Sequence, residues 1–274
     1  MDAATKERRR AFLGASEVAA VCGVDPFKNA WDVWASKKGY SQDEGSDAAE
    51  MGNLIEPVLL QWYAGKTGRA LTQPGTLLHP VEKWAGATPD SVAGALDVQA
   101  KVVGARMISR WDEGPPPYVK AQVNWEMWVA GLPAAEVVAL LGGTDPQIFQ
   151  VARNDELISY LVEICGRWWR DHVIGNTPPD IDGSEAARLA LHGRFPSATD
   201  GMGEAVPEFV SMALEHERLG HEVAKLKEQR DGLGNAMRVA IGDRAGLFWP
   251  GGRVNWKHTS AGQRPLRVYL KEQK

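Results

Sequence analysis

Apolar positions along the chain follow two alternating rhythms. Through Ser16–Cys22, Ala30–Lys38 and Ala48–Thr67 every third or fourth residue is apolar, the spacing of helices with one face toward a core. Ser16 reads as a helix N-cap, and Gly39 and Gly68 as helix stops. Pro57 falls inside the third segment, so that helix either starts late or kinks there. From Gly75 to Val103 the rhythm changes to short extended runs punctuated by Gly and Pro. Thr76–His79, Ala85–Thr88 and Leu96–Val102 read as strands. A helix Tyr118–Ala130 behind Pro115–Pro117, strands Ala135–Leu141 and Ile148–Ala152, and a helix Asp155–Val173 follow. This order predicts an α/β (α+β) core, a central mixed β-sheet flanked by helices.

After Ile174 the composition turns to Gly, Pro, Ser and Asp as far as about Gly203. Pro207–Ile241 then reads as a long helix in which Leu219, Val223, Leu226 and Leu233 are interleaved with charges such as Glu222, Lys227 and Asp231. A hairpin signal spans Leu247–Trp256. The predicted organisation is a core over 1–185, a linker over 186–203, and a C-terminal helical arm with a β-hairpin over 204–274. The arm reads as a solvated helix packed on the core, or as a contact for a neighbouring subunit or protein partner.

Bulk properties narrow the function. The 274 residues are 44% hydrophobic, enough for a large core. No apolar run is long enough for a bilayer, and Met1–Arg10 is polar and basic, unlike a signal peptide, so a cytoplasmic protein without a membrane partner is expected. A net charge of -4 argues against a nucleic-acid coat protein. It leaves room for an enzyme whose carboxylates gather at metals and whose basic residues line one channel. Cys22 and Cys165 have no metal-ligand spacing and read as reduced core residues. Trp31, Trp34, Trp62, Trp125, Trp128 and Trp168 sit at core spacing within helical patterns, and His79 reads as structural.

Candidate chemistry is concentrated in Thr88–Lys101. Asp90 follows Pro89 at the end of a strand, and Gln99 and Lys101 are two apart on the next strand, on one face. Asp97 shares that face by parity. Glu56 projects from a helix able to pack on the sheet, and Gln122 lies on the following helix. Phosphodiester hydrolysis calls for such a set. Mg²⁺ or Mn²⁺ takes oxygen ligands, the ion polarises phosphate and acidifies water, and a lysine orients the attacking water.

In order, Gly14-Ala15-Ser16-Glu17, Gly52-x-x-x-Glu56-Pro57, Thr88-Pro89-Asp90, Gln99-Ala100-Lys101, Tyr118-x-x-x-Gln122-Val123 and Val151–Glu156 resemble the YqaJ-like viral recombinase family. Bacteriophage lambda exonuclease belongs to that family, within the PD-(D/E)xK nuclease superfamily. The resemblance covers roughly residues 8 to 173 and implies a restriction-endonuclease-like core. By that resemblance Asp90, the residue at 99 and Glu56 are metal ligands for two Mg²⁺ or Mn²⁺ ions. Lys101 is the catalytic lysine, with Gln122 beside it. Ser16 with Arg9 or Arg10 would hold a terminal 5′ phosphate, a role that suits a bidentate guanidinium. The implied activity is that of a phage- or prophage-encoded alkaline exonuclease. It would digest one strand of linear double-stranded DNA 5′→3′ and leave 3′ tails for a single-strand annealing protein. The implied assembly is a homotrimer.

Gln99 departs from the family pattern, which has Asp or Glu there. Losing one charge beside a divalent ion costs several kcal/mol even at an effective dielectric near 20, so weakened metal occupancy and slow cleavage are expected. Three explanations compete: an acid-to-amide change made to trap a DNA complex, a natural branch carrying Gln99, or compensation by Asp97. The first is preferred because the rest of the site is intact. The alternatives in function are a catalytically inactive DNA-end-binding or assembly module, and an endonuclease on the same fold.

Overall fold

The computed structural model describes residues 3–40, 47–143, 145–181, 183, 185–198, 201–258 and 262–271. Two compact units divide the chain, Met1–Ala198 and Thr199–Lys274. The first begins with α1 (Ala3–Arg10), β1 (Leu13–Gly14), α2 (Ala15–Val21), α3 (Ala30–Lys38) and α4 (Asp47–Thr67). It continues with β2 (Leu77–Leu78), β3 (Ala85–Ala87), β4 (Ser91–Ala93), β5 (Leu96–Val103) and α5 (Pro117–Ala130). β6 (Ala134–Leu141), β7 (Pro146–Ala152), α6 (Asp155–Trp168) and α7 (Glu185–Arg194) close it.

The larger sheet has the order β4-β5-β6-β7, with β5 parallel to β6 and the two outer pairs antiparallel. The predicted mixed sheet flanked by helices is therefore present. Period-2 alternation gives β5 and β6 two different faces. Val98, Ala100 and Val138 pack against Leu59, Leu60 and Tyr63 of α4. Ala135, Val137, Ala139 and Val103 pack against Val119, Val123 and Met127 of α5. On the α4 side Tyr63 donates to Glu136 at 2.6 Å and accepts from Arg69 at 2.6 Å, so the one buried carboxylate of that face is paired.

A smaller sheet, β1-β3-β2, pairs β1 with β3 in parallel at Leu13↔Ala85 and Gly14↔Gly86. Its centre requires glycine: a Cβ on Gly86 would lie 2.3–2.9 Å from the Phe12 ring. Trp125 of α5 donates its indole N–H to the Gly86 carbonyl at 3.1 Å and ties this sheet to α5. Trp31, Trp34 and Trp168 are buried with Trp125, as their spacing predicts, whereas Trp62 and Trp128 are half-buried. His79 stacks on Trp128 with ring centroids 4.0 Å apart and accepts from the Glu82 N–H, a structural role.

Several boundaries differ from expectation. Of the two readings of Pro57, the late start falls, because Pro57 lies inside α4. The helix expected to reach Val173 ends as α at Trp168 and continues as a π-helical turn, Trp169–Ile174. The stretch read as a linker, 186–203, contains most of α7, whose Ala187 is buried and whose Arg194 guanidinium lies 5.6 Å above the Trp34 ring. Cys22 and Cys165 are free thiols with sulfurs 3.9 Å apart, brought together by α2 and α6.

The second unit consists of α8 (Pro207–Ile241) and an antiparallel sheet of β8 (Gly246–Trp249), β9 (Gly252–Trp256) and β10 (Leu266–Leu270) in the order β10-β9-β8. The expected hairpin is β8–β9, and β10 adds an unforeseen third strand. The Arg264 guanidinium covers the Trp256 ring at 3.6 Å and donates to the Trp256 carbonyl. Among the described residues no helix is long and apolar enough to cross a membrane.

Candidate active site

A tight hairpin positions the first half of the site. β4 and β5 pair at Ser91↔Val98 and Ala93↔Leu96, joined through Gly94 at φ +64°, a value that favours glycine. Asp90 sits in the bend just before β4. Its Oδ2 accepts from the Ala100 N–H at 2.8 Å and from Gln99 Nε2, so the carboxylate closes over the middle of β5. Burial raises the Asp90 carboxyl above its ordinary range, and Lys101, the Ala100 N–H and the Gln99 amide oppose the rise.

α5 supplies the second half. Gln122 and Glu126 are one turn apart on the same helical face. Lys101 Nζ donates to Gln122 Oε1 at 2.9 Å. The Gln122 amide group donates to Gln99 Oε1 at 3.3 Å and to Glu126 Oε1 at 3.0 Å. A continuous chain thus runs from Lys101 through Gln122 and Gln99 to Asp90. The orientation of the Gln99 amide follows from its neighbours, because its N–H group faces the carboxylate and its oxygen faces the Gln122 donor.

Glu56, half-buried on α4, completes the acidic side. Its carboxyl is raised first by burial and then by Asp90, and Lys101 lowers it, so it lies within electrostatic reach of both. The structure therefore brings together Asp90, Gln99, Lys101 and Gln122 by hydrogen bonds, with Glu56 beside them.

Behind Gln99 lies a pair of acids, of which only Asp97 was singled out in the sequence. Asp97 and Glu126 are 0% and 1% exposed. Neither oxygen of Asp97, nor Oε2 of Glu126, has a hydrogen-bond partner among the described residues. Burial pushes the Asp97 carboxyl up to about 7. Burial and the neighbouring Asp97 push Glu126 well above the carboxylate range. Such a pair holds at least one proton near neutrality. Glu126 is one residue the sequence reading missed; its signal was the four-residue step from Gln122 within the same apolar helix.

Of the 5′-phosphate candidates, Ser16 follows β1 at one end of the smaller sheet, and Arg9 and Arg10 precede β1. Parallel pairing of β1 with β3 places their C-terminal ends side by side. α2, which carries Ser16, therefore leaves the sheet at the same end as the segment leading to Asp90. Ser16 is not the N-cap. Gly14 holds that position, and its N–H donates to Glu17 Oε2 at 2.7 Å, which leaves Ser16 exposed in the first turn. Arg9 and Arg10 end α1. Arg10 pairs with Glu7 at 2.6 Å, and the Arg9 carbonyl accepts from Lys37 Nζ at 2.7 Å. Lys37 is buried against Glu17 at 2.6 Å. Its ammonium is lowered chiefly by burial, with Arg9 and Lys28 adding repulsion. Arg9 and Lys28 thus lie within electrostatic reach of Lys37, which pairs with Glu17, the residue after Ser16; Lys28 and Lys37 are additions to the sequence reading.

For a divalent cation the oxygen donors on offer would be Asp90, Glu56 and the residue at 99. No group of three or more His, Cys, Asp or Glu side chains among the described residues is arranged to hold a metal. Two carboxylates with water suffice for one Mg²⁺. The donor set fits a single ion, and falls one carboxylate short of the two-ion arrangement.

Comparison with known proteins finds one family model, one relative and solved structures that resemble this chain. The family model for the YqaJ-like viral recombinase domain matches residues 6–133, which hold Glu56, Asp90, Gln99, Lys101 and Gln122. Over those residues, somewhat under half of the chain, the sequence is similar to a YqaJ-like viral recombinase domain. A Bacillus subtilis (strain 168) protein named uncharacterized protein YqaJ is 27% identical over 195 residues, 68% of this chain. The match spans 61% of that relative's length. The fold of the domain is also that of LHK-Exo, an alkaline exonuclease from Laribacter hongkongensis, at a TM-score of 0.54 and 19% identity over 63% of this chain and 93% of that one. A second LHK-Exo structure, in complex with dAMP, superposes with a TM-score of 0.54 at 20% identity, over 62% and 91% of the two chains.

Proposed function

We propose that the YqaJ-like domain is a metal-dependent DNA exonuclease of the phage alkaline type, slowed by an amide at a metal-ligand position. One observation carries this reading: Asp90, Gln99, Lys101 and Gln122 form one hydrogen-bonded chain across β5 and α5, with Glu56 beside it. Asp90 and Glu56 would hold Mg²⁺ or Mn²⁺. A bound ion supplies Lewis acidity toward phosphate and acidifies a water. Lys101, held by Gln122, orients the attacking water and balances phosphate charge. Gln99 supplies a carbonyl oxygen where the family has a carboxylate, so the second ion of the two-ion scheme is the one weakened. Ser16 and Arg9, with Arg10 nearby, receive a 5′ phosphate. The substrate is then linear double-stranded DNA, digested 5′→3′ to leave 3′ tails for a single-strand annealing protein. The setting is a phage or prophage product acting in the bacterial cytoplasm as a homotrimer.

A second reading has its own observation. The Gln99 amide satisfies Asp90 without a cation, which suits a DNA-end-binding module that does not cut. One assay separates the two. The chain is incubated in Mg²⁺ with 5′-phosphorylated linear duplex and with covalently closed circular duplex, beside a Lys101→Met control. Slow loss of linear DNA only, abolished by the control, supports the exonuclease. Cutting of closed circles points to an endonuclease. Binding of ends with no digestion at any metal concentration points to the inactive module.

A further inference from the structure

α8 presents an apolar stripe of unusual regularity. Counting Phe209 as position a of a heptad, Met212, Leu219, Leu226 and Leu233 all fall at d, and Val223 falls at a. Every residue from Pro207 to Leu233 is exposed, a span of on the order of 40 Å, and burial begins only at Gly234. Leu219, Val223, Leu226 and Leu233 are 45%, 64%, 58% and 68% exposed. Gly220, Gly232 and Gly234 lower the intrinsic stability of this helix. A helix of that length and composition, with its apolar stripe in water, needs a covering surface.

The pattern also says what kind of surface. A spacing of three and four residues, rather than a wide apolar face, matches a second helix winding at a shallow angle. The positions beside the stripe choose among helices. Glu215 and Glu222 fall at g, and Lys227 falls at e. In a parallel, in-register pair, Glu222 of one copy faces Lys227 of the other. An antiparallel pair would set glutamates against glutamates. Val at a with Leu at d favours two strands, while His216 and Arg230 at a are polar layers that fix register at some cost in stability. Val210 and Leu214 lie off the stripe, so the seam is best formed from Met212 to Leu233.

We infer that α8 pairs with α8 of a second copy of this chain as a parallel, in-register, two-stranded coiled coil. The inference stands apart from the nuclease reading and survives its failure; within the proposed homotrimer, each α8 would pair with α8 of a second trimer. It is tested on the full chain by cysteine cross-linking. Leu226→Cys lies on the seam and Glu228→Cys on the outer face, and circular dichroism checks that both variants keep the parent helix content. Under mild oxidation Leu226→Cys should give a covalent pair at least tenfold faster than Glu228→Cys. Adding Val223→Glu to Leu226→Cys should lower that rate severalfold. If Leu226→Cys does not cross-link, the helix is covered by its own chain or another protein and the inference fails. Equal rates for the two cysteine variants, or indifference to Val223→Glu, also overturn it.

Discussion

Replacing Asp97 by Asn tests the electrostatics of the site through stability alone. In metal-free buffer the folded chain keeps the Asp97 carboxyl protonated up to about 7, whereas the ordinary value is 3.8. Below pH 4 both states hold the proton and the group contributes nothing to pH dependence. As pH rises from 4 to 7 the unfolded chain ionises while the folded one does not, so stability is progressively lost across that window. At 1.36 kcal/mol per pH unit, the loss between pH 4.5 and 7.5 is about 3 kcal/mol. Asp97→Asn removes the titration but keeps the shape. Its stability relative to the parent should therefore rise by about 3 kcal/mol from pH 4.5 to pH 7.5. The assay is urea unfolding in EDTA at pH 4.5, 6 and 7.5, followed by tryptophan fluorescence and far-ultraviolet circular dichroism. Parallel pH profiles for parent and variant would refute the buried acid pair, as would a parent that gains stability on the variant with rising pH.

Three further outcomes follow from the same geometry. Gly86→Ala drives a methyl into the Phe12 ring and should destabilise the chain by about 1–3 kcal/mol in urea unfolding, with Phe12→Leu restoring part of the loss. Ser16→Ala and Arg9→Ala should slow digestion of 5′-phosphorylated ends by about tenfold while leaving 5′-hydroxyl ends nearly unchanged, since a charge-assisted phosphate contact contributes about 1.5–3 kcal/mol. Equal slowing on both kinds of end would remove these residues from phosphate recognition. Lys37→Met leaves Glu17 without its buried partner and should lower stability by about 3 kcal/mol at neutral pH, read as a lower urea midpoint.

Much of the first unit was legible in the sequence because its elements bury one face each. The long periodic segments that became α4, α5, β5 and β6 carried their own spacing, and parity alone put Asp97, Gln99 and Lys101 on one face. Short or polar elements were less visible. α1 has no apolar stripe, and β4 is three residues long, too short to show an alternation of its own before its pairing with β5. Ser16 looked like a cap because its residue type favours that position. The cap is Gly14, held by the Glu17 carboxylate, a contact that depends on how β1 enters α2. Glu126 escaped notice because a lone acid in an apolar helix reads as surface. Only the tertiary fold shows that α5 is buried on the side where Glu126 meets Asp97. β10 lies beyond the residues of the hairpin signal and joins β9 through a connection the local pattern does not announce.

The claim at the centre of this account is that the residue at 99 limits a site otherwise built for metal-dependent cleavage. Gln99→Glu tests it directly. Digestion of 5′-phosphorylated linear duplex is measured over a Mg²⁺ titration for the parent and the variant. A restored charge contributing several kcal/mol should raise the Mg²⁺-dependent rate by about a hundred-fold or more and lower the Mg²⁺ concentration needed for half-maximal rate. Equal rates at every Mg²⁺ concentration would contradict the account, whether both proteins cut or neither does.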